Sequence, residues 1–241
     1  AMILPTNLAL IAGRGSAKTS EIQVERLIAM MYDMPGAPAA WVADTFTNLQ
    51  ANVLPTVLEG LERKGYRENT HFIIEKQPPE YSDKECEDLP QWLRPHFWKP
   101  FNKIVSYKRT IIFFTGFNLT FGSLDRPASL AGRSYVHVFG DEAKYFPEEK
   151  IANLLKAVRG YRVQFGRSPF YRGRTFTTDM PNASNVGEYD WIFKDLKNMD
   201  KEMVLTLYKT ALVVNEATQE YIAAKERFMQ TRTDEDRKEY R

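Results

Sequence analysis

The stretch Asn7-Leu8-Ala9-Leu10-Ile11-Ala12-Gly13-Arg14-Gly15-Ser16-Ala17-Lys18-Thr19-Ser20 decides the fold. A short apolar run stops at a glycine cluster, and a mixed polar and apolar segment continues to residue 34, the order of a strand, a loop and a helix. In that setting the loop N–H groups and the positive end of the helix converge on an anion. Lys18 is placed to reach β and γ phosphates, and the Thr19 hydroxyl to ligate Mg²⁺. Gly13, Arg14, Gly15, Ser16, Ala17, Lys18, Thr19 and Ser20 are therefore the candidate nucleotide ligands. The standard pattern has glycine where this chain has Ala12 and Ala17; Gly13 and Gly15 supply the flexibility instead, while the Ala17 methyl crowds the phosphate position. On the loop alone, a phosphate cradle and a plain glycine-rich connection are equally good accounts.

Working outward, residues 34–38 break the helix, 39–43 read as a second buried strand, and 48–64 as a second helix ending near Gly65. This βαβα opening predicts a parallel sheet. Residues 77–102 are proline-rich and charged, an irregular excursion. The β-rich runs 104–107, 110–115 and 119–121 predict a small antiparallel addition, 135–139 a further buried strand, 148–158 a helix and 175–178 a last strand. Residues 186–241 are polar and helical in pattern. The expected organisation is an α/β core over 1–185, with a mostly parallel sheet flanked by helices, and a helical lid over 186–241.

The strand 135–139 delivers Asp141 and Glu142 at its carboxyl end, where open α/β sheets hold their ligands. Asp141 is placed to hold Mg²⁺ and Glu142 to polarise a water attacking a γ-phosphate. An acidic turn or helix cap is the alternative for the pair by itself, and Lys18 upstream favours the catalytic reading. Thr177, Thr178 and Asp179 end the last strand, either as a γ-phosphate sensor or as a simple exit into a loop. Arg159, Arg162, Arg167, Arg172 and Arg174 fall in a stretch without an acid and interleaved with aromatic residues, a candidate DNA or subunit surface.

Composition narrows the classes. Lys plus Arg number 33 against 31 Asp plus Glu in 241 residues, so the net charge of +2 does not mark a global nucleic-acid binder and any such surface is local. The single Cys86 excludes an internal disulfide and suits a reducing compartment, while His71, His96 and His137 are too scattered for a zinc-type cluster. The apolar runs fall short of the roughly 20 residues that span a bilayer.

Three segments, in order and spacing, resemble the ATPase domain of the large terminase subunit of tailed phages, over most of the chain. They are the phosphate loop with its internal arginine, residues 13–19; the run Phe121-Gly122-Ser123-Leu124-Asp125-Arg126-Pro127-Ala128-Ser129-Leu130-Ala131-Gly132-Arg133 leading into Asp141-Glu142-Ala143; and Thr177-Thr178-Asp179-Met180-Pro181 with Trp191-Ile192-Phe193 beyond. The resemblance implies a RecA-like ASCE P-loop fold, phosphate binding by Lys18 and Thr19, metal binding by Asp141, base duty for Glu142, and coupling through Thr177 and Thr178. It implies Arg14 over the phosphates and an arginine acting from a neighbouring subunit, first Arg133 and second Arg126. ATP and Mg²⁺ are the implied cofactors. Double-stranded DNA, a homo-oligomeric ring, the portal protein and the small terminase subunit are the implied partners, at the procapsid portal in the host cytoplasm and with no membrane. No nuclease activity is expected of this chain. A helicase-like translocase of the same fold, and a degenerate nucleotide-binding assembly module that does not hydrolyse ATP, stay open as alternatives.

Overall fold

The computed structural model describes residues 5–78, 97–125, 130, 132–182 and 184–231. Cys86, His96, Arg126 and most of the proline-rich excursion lie outside them.

Seven strands form one sheet: β1 (Asn7–Ile11), β2 (Pro38–Ala43), β3 (Phe72–Ile74), β4 (Thr110–Phe113), β5 (Asn118–Ser123), β6 (His137–Gly140) and β7 (Gly173–Thr178). Their order is β1-β7-β6-β2-β5-β4-β3. The first five in that order are parallel, and β4 and β3 follow antiparallel. A strand, β7, separates the loop-bearing β1 from the acid-bearing β6, the arrangement that the ASCE class denotes, and the fold is RecA-like.

The antiparallel addition differs in membership from the expectation. The run 119–121 lies in β5, which pairs parallel with β2 on one side and antiparallel with β4 on the other. Residues 104–107 form no strand, with Val105 89% exposed, and Phe72–Ile74 takes the outer place instead. Local β propensity reads a pleated, half-buried surface and carries no strand direction.

Alternation within β2 divides the interior between the two faces of the sheet. Ala39, Trp41 and Ala43 pack in one cluster with Val24, Leu27 and Met30 of α1 (Val24–Asp33); Ala40 and Val42 pack in another with Ile151 and Leu154 of a helix at Glu148–Leu155. Trp41 stacks against Phe139 at 4.8 Å on one neighbouring strand and Phe121 at 6.3 Å on the other. Helices thus cover both faces, as a parallel sheet requires.

α1 follows a π-wound first turn, Lys18–Gln23, and ends where Gly36 takes a positive φ of 79°. The second helical segment begins at α2 (Phe46–Asn48), where the Thr45 side chain accepts from Asn48 N, and runs through Leu49–Val53 into α3 (Leu54–Arg63). α3 lies against the first turn after the loop, so closely that a Cβ on Gly60 would sit 2.4 Å from Ser20 O.

The chain divides into two compact units between Lys194 and Asp195. The second contains one long helix, Lys201–Thr231. No helix among the described residues is long and apolar enough to cross a membrane.

Candidate active site

Because β1, β7 and β6 are adjacent and parallel, their carboxyl ends open on one spot. The register sets Ile11 beside Thr178 and Gly140 beside Phe176, so residues following each strand meet there. Gly140 is required by this packing, since a Cβ would lie 2.7 Å from both Phe146 and Phe176. A cavity of about 540 Å³ opens beside the loop, lined by residues 14–20 together with Asp44, Asn48, Thr56, Glu142 and Tyr145.

The loop itself is open: a Cβ on Gly13 or Gly15 would meet nothing within 4 Å, and Gly15 has a φ of 76°. Ala17 is left-handed as well, with φ 55° and ψ 28°, which for a residue with a Cβ costs about 1–2 kcal/mol. The conformation explains why glycine is the usual occupant of this position. Ser16 N approaches Gly13 O at 3.4 Å, and Lys18, Thr19 and Ser20 are buried at the start of the helix.

Asp141 is the hub. Its Oδ2 accepts from Thr19 Oγ1 at 2.6 Å, and its Oδ1 accepts from Thr177 Oγ1 at 2.7 Å and from Glu142 N at 3.0 Å. Thr177 Oγ1 in turn accepts from Gln23 Nε2, which also donates to Gly140 O. Thr178 Oγ1 accepts from Lys144 N at 3.2 Å. Loop, β6 and β7 are therefore joined by one continuous hydrogen-bonded chain.

Glu142 adopts a left-handed conformation, φ 54°, and its Oε2 is buried without a hydrogen-bond partner among the described residues. Burial pushes its carboxyl above the usual range, and the charges of Asp179 and Asp141 add to that, against Lys18 and Lys144. A carboxylate on a cavity wall whose affinity for a proton is raised is, in its ionised form, suited to taking a proton from a bound water.

Lys18 is turned toward the protein: Nζ donates to Ala12 O at 2.9 Å, Gly13 O at 3.2 Å and Asp179 Oδ1 at 2.8 Å. Arg14, 84% exposed, donates from Nε to Asp179 Oδ2 at 3.1 Å, and this bond raises its pKa. Lys144 Nζ stands 3.6 Å from Asp179 and 3.4 Å from Glu188. Burial pushes the Asp179 carboxyl up, but Lys18 and Arg14 outweigh it and hold the group below its ordinary range.

The structure thus brings together Gly13 to Ser20, Asp141, Glu142, Thr177, Thr178 and Asp179. It sets the other candidates apart. Arg133 precedes β6 and lies at the amino end of the strands, where Nη1 donates to Thr120 Oγ1 at 3.2 Å. Arg159, Arg162, Arg167 and Arg172 also precede their strand, β7, are exposed, and make no ion pair with a described residue. Arg174 is half-buried within β7, with its guanidinium 5.9 Å from the Phe176 ring centroid.

Gln23, Lys144 and the wall residues Asp44, Asn48 and Thr56 were not singled out from the sequence. Lys144 had a signal, being next but one to the acidic pair. Gln23 had none, because a buried amide in a helix looks the same in sequence as an exposed one.

The site and sheet define an ASCE-type P-loop fold. No protein-family model matches the chain, and no curated protein matches it. Among solved structures, the chain is similar to the large terminase of a thermophilic bacteriophage, with a TM-score of 0.47 and 12% identity over 80% of this chain and 38% of that one. It is also similar to two structures of the Thermus phage P74-26 large terminase ATPase domain, one of them a point mutant; each has a TM-score of 0.39, with 18% identity for the mutant and 16% for the other. These cover 78% of this chain, which spans 62% of theirs. What the site can do follows from its own residues.

Proposed function

We propose that this chain is the ATP-hydrolysing motor domain of a phage large terminase subunit, driving double-stranded DNA into a procapsid. The observation that carries the hydrolytic part is the 2.6 Å hydrogen bond from Thr19 Oγ1 to Asp141 Oδ2, with Glu142 on the wall of the same cavity. The terminase part is supported by the motif resemblance along the chain.

The residues fit a Mg²⁺–ATP ligand. A hydroxyl and a carboxylate are the hard oxygen donors Mg²⁺ takes, the loop is open, and Glu142 Oε2 lacks a partner among the described residues. Mg²⁺, when bound, neutralises charge on the β and γ phosphate oxygens. Lys18 would turn from Asp179 to those oxygens. Glu142 would accept a proton from water as the water oxygen bonds to the γ phosphorus and the bridging oxygen leaves with ADP. Thr177 reports the state of Asp141 to β7, a coupling role. Arg133, at the far end of the strands from its own phosphate loop, would serve the site of a neighbouring subunit in a ring, and the exposed arginines at 159–172 would face DNA or that subunit. Residues 186–241 would serve as the lid, and the portal protein and small terminase subunit are the remaining partners, in the host cytoplasm.

A second reading, a nucleotide-binding assembly module without turnover, is favoured by the three bonds that turn Lys18 toward the protein. Equilibrium binding of a fluorescent ATP analogue with Mg²⁺, on this chain and on Lys18→Ala, tests the cradle, and binding is expected to be lost in the variant. Absence of binding to either protein would overturn the nucleotide reading, while binding without turnover at any DNA or protein concentration would leave the assembly module.

A further inference from the structure

The π-wound turn Lys18–Gln23, in which Val24 N donates to Thr19 O five residues back, is the first turn after the phosphate loop. This winding is rare and occurs mostly as a single turn at functional sites. Residues four apart lie on one side of a helix, so Thr19 and Gln23 face the sheet together. Both are buried, Gln23 completely.

Packing alone does not account for an amide at position 23. Its Nε2 donates to Gly140 O and to Thr177 Oγ1, while its Oε1 is buried with no hydrogen-bond partner among the described residues. An unpaired buried carbonyl is a cost that an apolar side chain of the same volume avoids. Because Gly140 O is an acceptor only, the amide nitrogen must be the atom that faces the strands.

The direction of every further bond follows. Nε2 can only donate, so Thr177 Oγ1 accepts from it, and the one Thr177 hydroxyl hydrogen is committed to Asp141 Oδ1, 2.7 Å away. Glu142 N donates to the same oxygen at 3.0 Å. Among the described residues, Oδ2 receives Thr19 alone, at 2.6 Å. One helical turn thus grips both oxygens of the carboxylate: Thr19 holds Oδ2 directly, and Gln23 holds Oδ1 through Thr177.

We propose that Gln23 is a positioning residue: by keeping the Thr177 hydroxyl a donor to Oδ1, it fixes the Asp141 carboxylate with Oδ2, beside Thr19, as the oxygen presented to Mg²⁺. The inference rests on the reading of Asp141 and Thr19 as the Mg²⁺ ligands. Gln23 itself touches neither metal nor nucleotide and acts through Thr177.

Mn²⁺, a paramagnetic stand-in for Mg²⁺, titrated into the ADP-loaded chain and followed by electron paramagnetic resonance tests it, alongside ADP affinity measured in EDTA. Gln23→Met keeps the volume and removes the donor. It is expected to weaken Mn²⁺ binding by about threefold to tenfold, up to the worth of one hydrogen bond to a charged group, with metal-free ADP affinity held within about twofold. A role in packing alone would leave Mn²⁺ affinity unchanged, whatever happened to the melting temperature. Thr177→Val removes the intermediary, so adding Gln23→Met to it should weaken Mn²⁺ no further, whereas in Thr177→Ser, which keeps the hydroxyl, Gln23→Met should still do so. Equal Mn²⁺ affinity in the parent and Gln23→Met overturns this inference alone, as do losses that add in the Thr177→Val background, which would route the effect through Gly140 O. A parent that binds no ADP, or no Mn²⁺ beside it, overturns the inference together with the Mg²⁺ site on which it rests.

Discussion

Asp179 Oδ1 lies 2.8 Å from Lys18 Nζ, so the lysine that would grip a nucleotide is held by a carboxylate of the neighbouring strand's exit, and the same carboxylate takes Arg14 through its other oxygen. The pair is largely buried, with 7% and 13% of the side chains exposed. Any phosphate entering the loop competes with Asp179 for Lys18. Release of this carboxylate would also free the end of β7, the route by which nucleotide occupancy would reach that strand under the proposed function.

Asp179→Asn is therefore expected to tighten Mg²⁺–ATP binding by about threefold to tenfold while lowering stability by about 1–3 kcal/mol, the range for loss of a mostly buried charged hydrogen bond. The pH dependence follows from the depressed carboxyl. Its contribution is present above the unfolded-state pKa and is lost as pH falls through the lower folded-state value, so the variant and the parent should converge in stability under strongly acidic conditions. Nucleotide titration and denaturant melts across pH check both halves, and unchanged affinity would remove Asp179 as a competitor.

Glu142→Gln should lower ATP turnover by about 10²–10⁴-fold, the span for removing a general base, with nucleotide binding kept. Because burial raises the folded-state carboxyl, the proton is bound more tightly when folded. The ionised form therefore costs stability above the unfolded-state pKa, and the cost sets in as pH rises toward the folded value. The glutamine should raise the melting temperature at neutral pH and have little effect in acid. Turnover of the parent should fall as acid protonates Glu142, beginning at a higher pH than an ordinary carboxylate would give. A melting temperature unchanged at neutral pH would contradict the buried charge.

Ala17→Gly relieves the left-handed strain of about 1–2 kcal/mol, set against a larger entropy loss for glycine of about 0.5–1 kcal/mol. A net stabilisation of about 0.5–1 kcal/mol is expected, together with tighter nucleotide binding because no methyl stands at the cavity wall. Chemical denaturation and the ATP-analogue titration measure the two effects independently.

Replacing Arg162 and Arg167 with alanine should weaken duplex DNA binding and reduce the slope of log affinity against log salt by about 0.9 for each phosphate that an arginine no longer neutralises. Fluorescence anisotropy over a salt series reads the slope. An unaltered slope in the double variant would assign this edge to a subunit interface instead.

Much of this was legible from residues 7–20 and 135–142, because a strand ending in glycines before Lys-Thr, and a strand ending in two acids, each have a local physical cause. The glycine positions and apolar runs are properties of neighbours in sequence. Conflict between pattern and conformation could be read too: Ala17 departs from the pattern at a position whose backbone turns out to be left-handed. The outer strands were less legible. Phe72–Ile74 is three residues long and has no length of pattern to read, whereas 104–107 has the right composition and no partner strand.

The sequence by itself determined the parallel α/β core, the loop, and the acidic pair, since these depend on spacing and on side-chain type over a few residues. Only the tertiary structure decided who meets whom. It placed β7 between β1 and β6, so that Asp141 receives Thr19 and Thr177 and Lys18 receives Asp179 across 161 positions. It also carried Arg133 to the amino ends of the strands. Strand order is set by burial of both sheet faces against helices, a free energy summed over the whole core, and no local stretch of residues contains that sum.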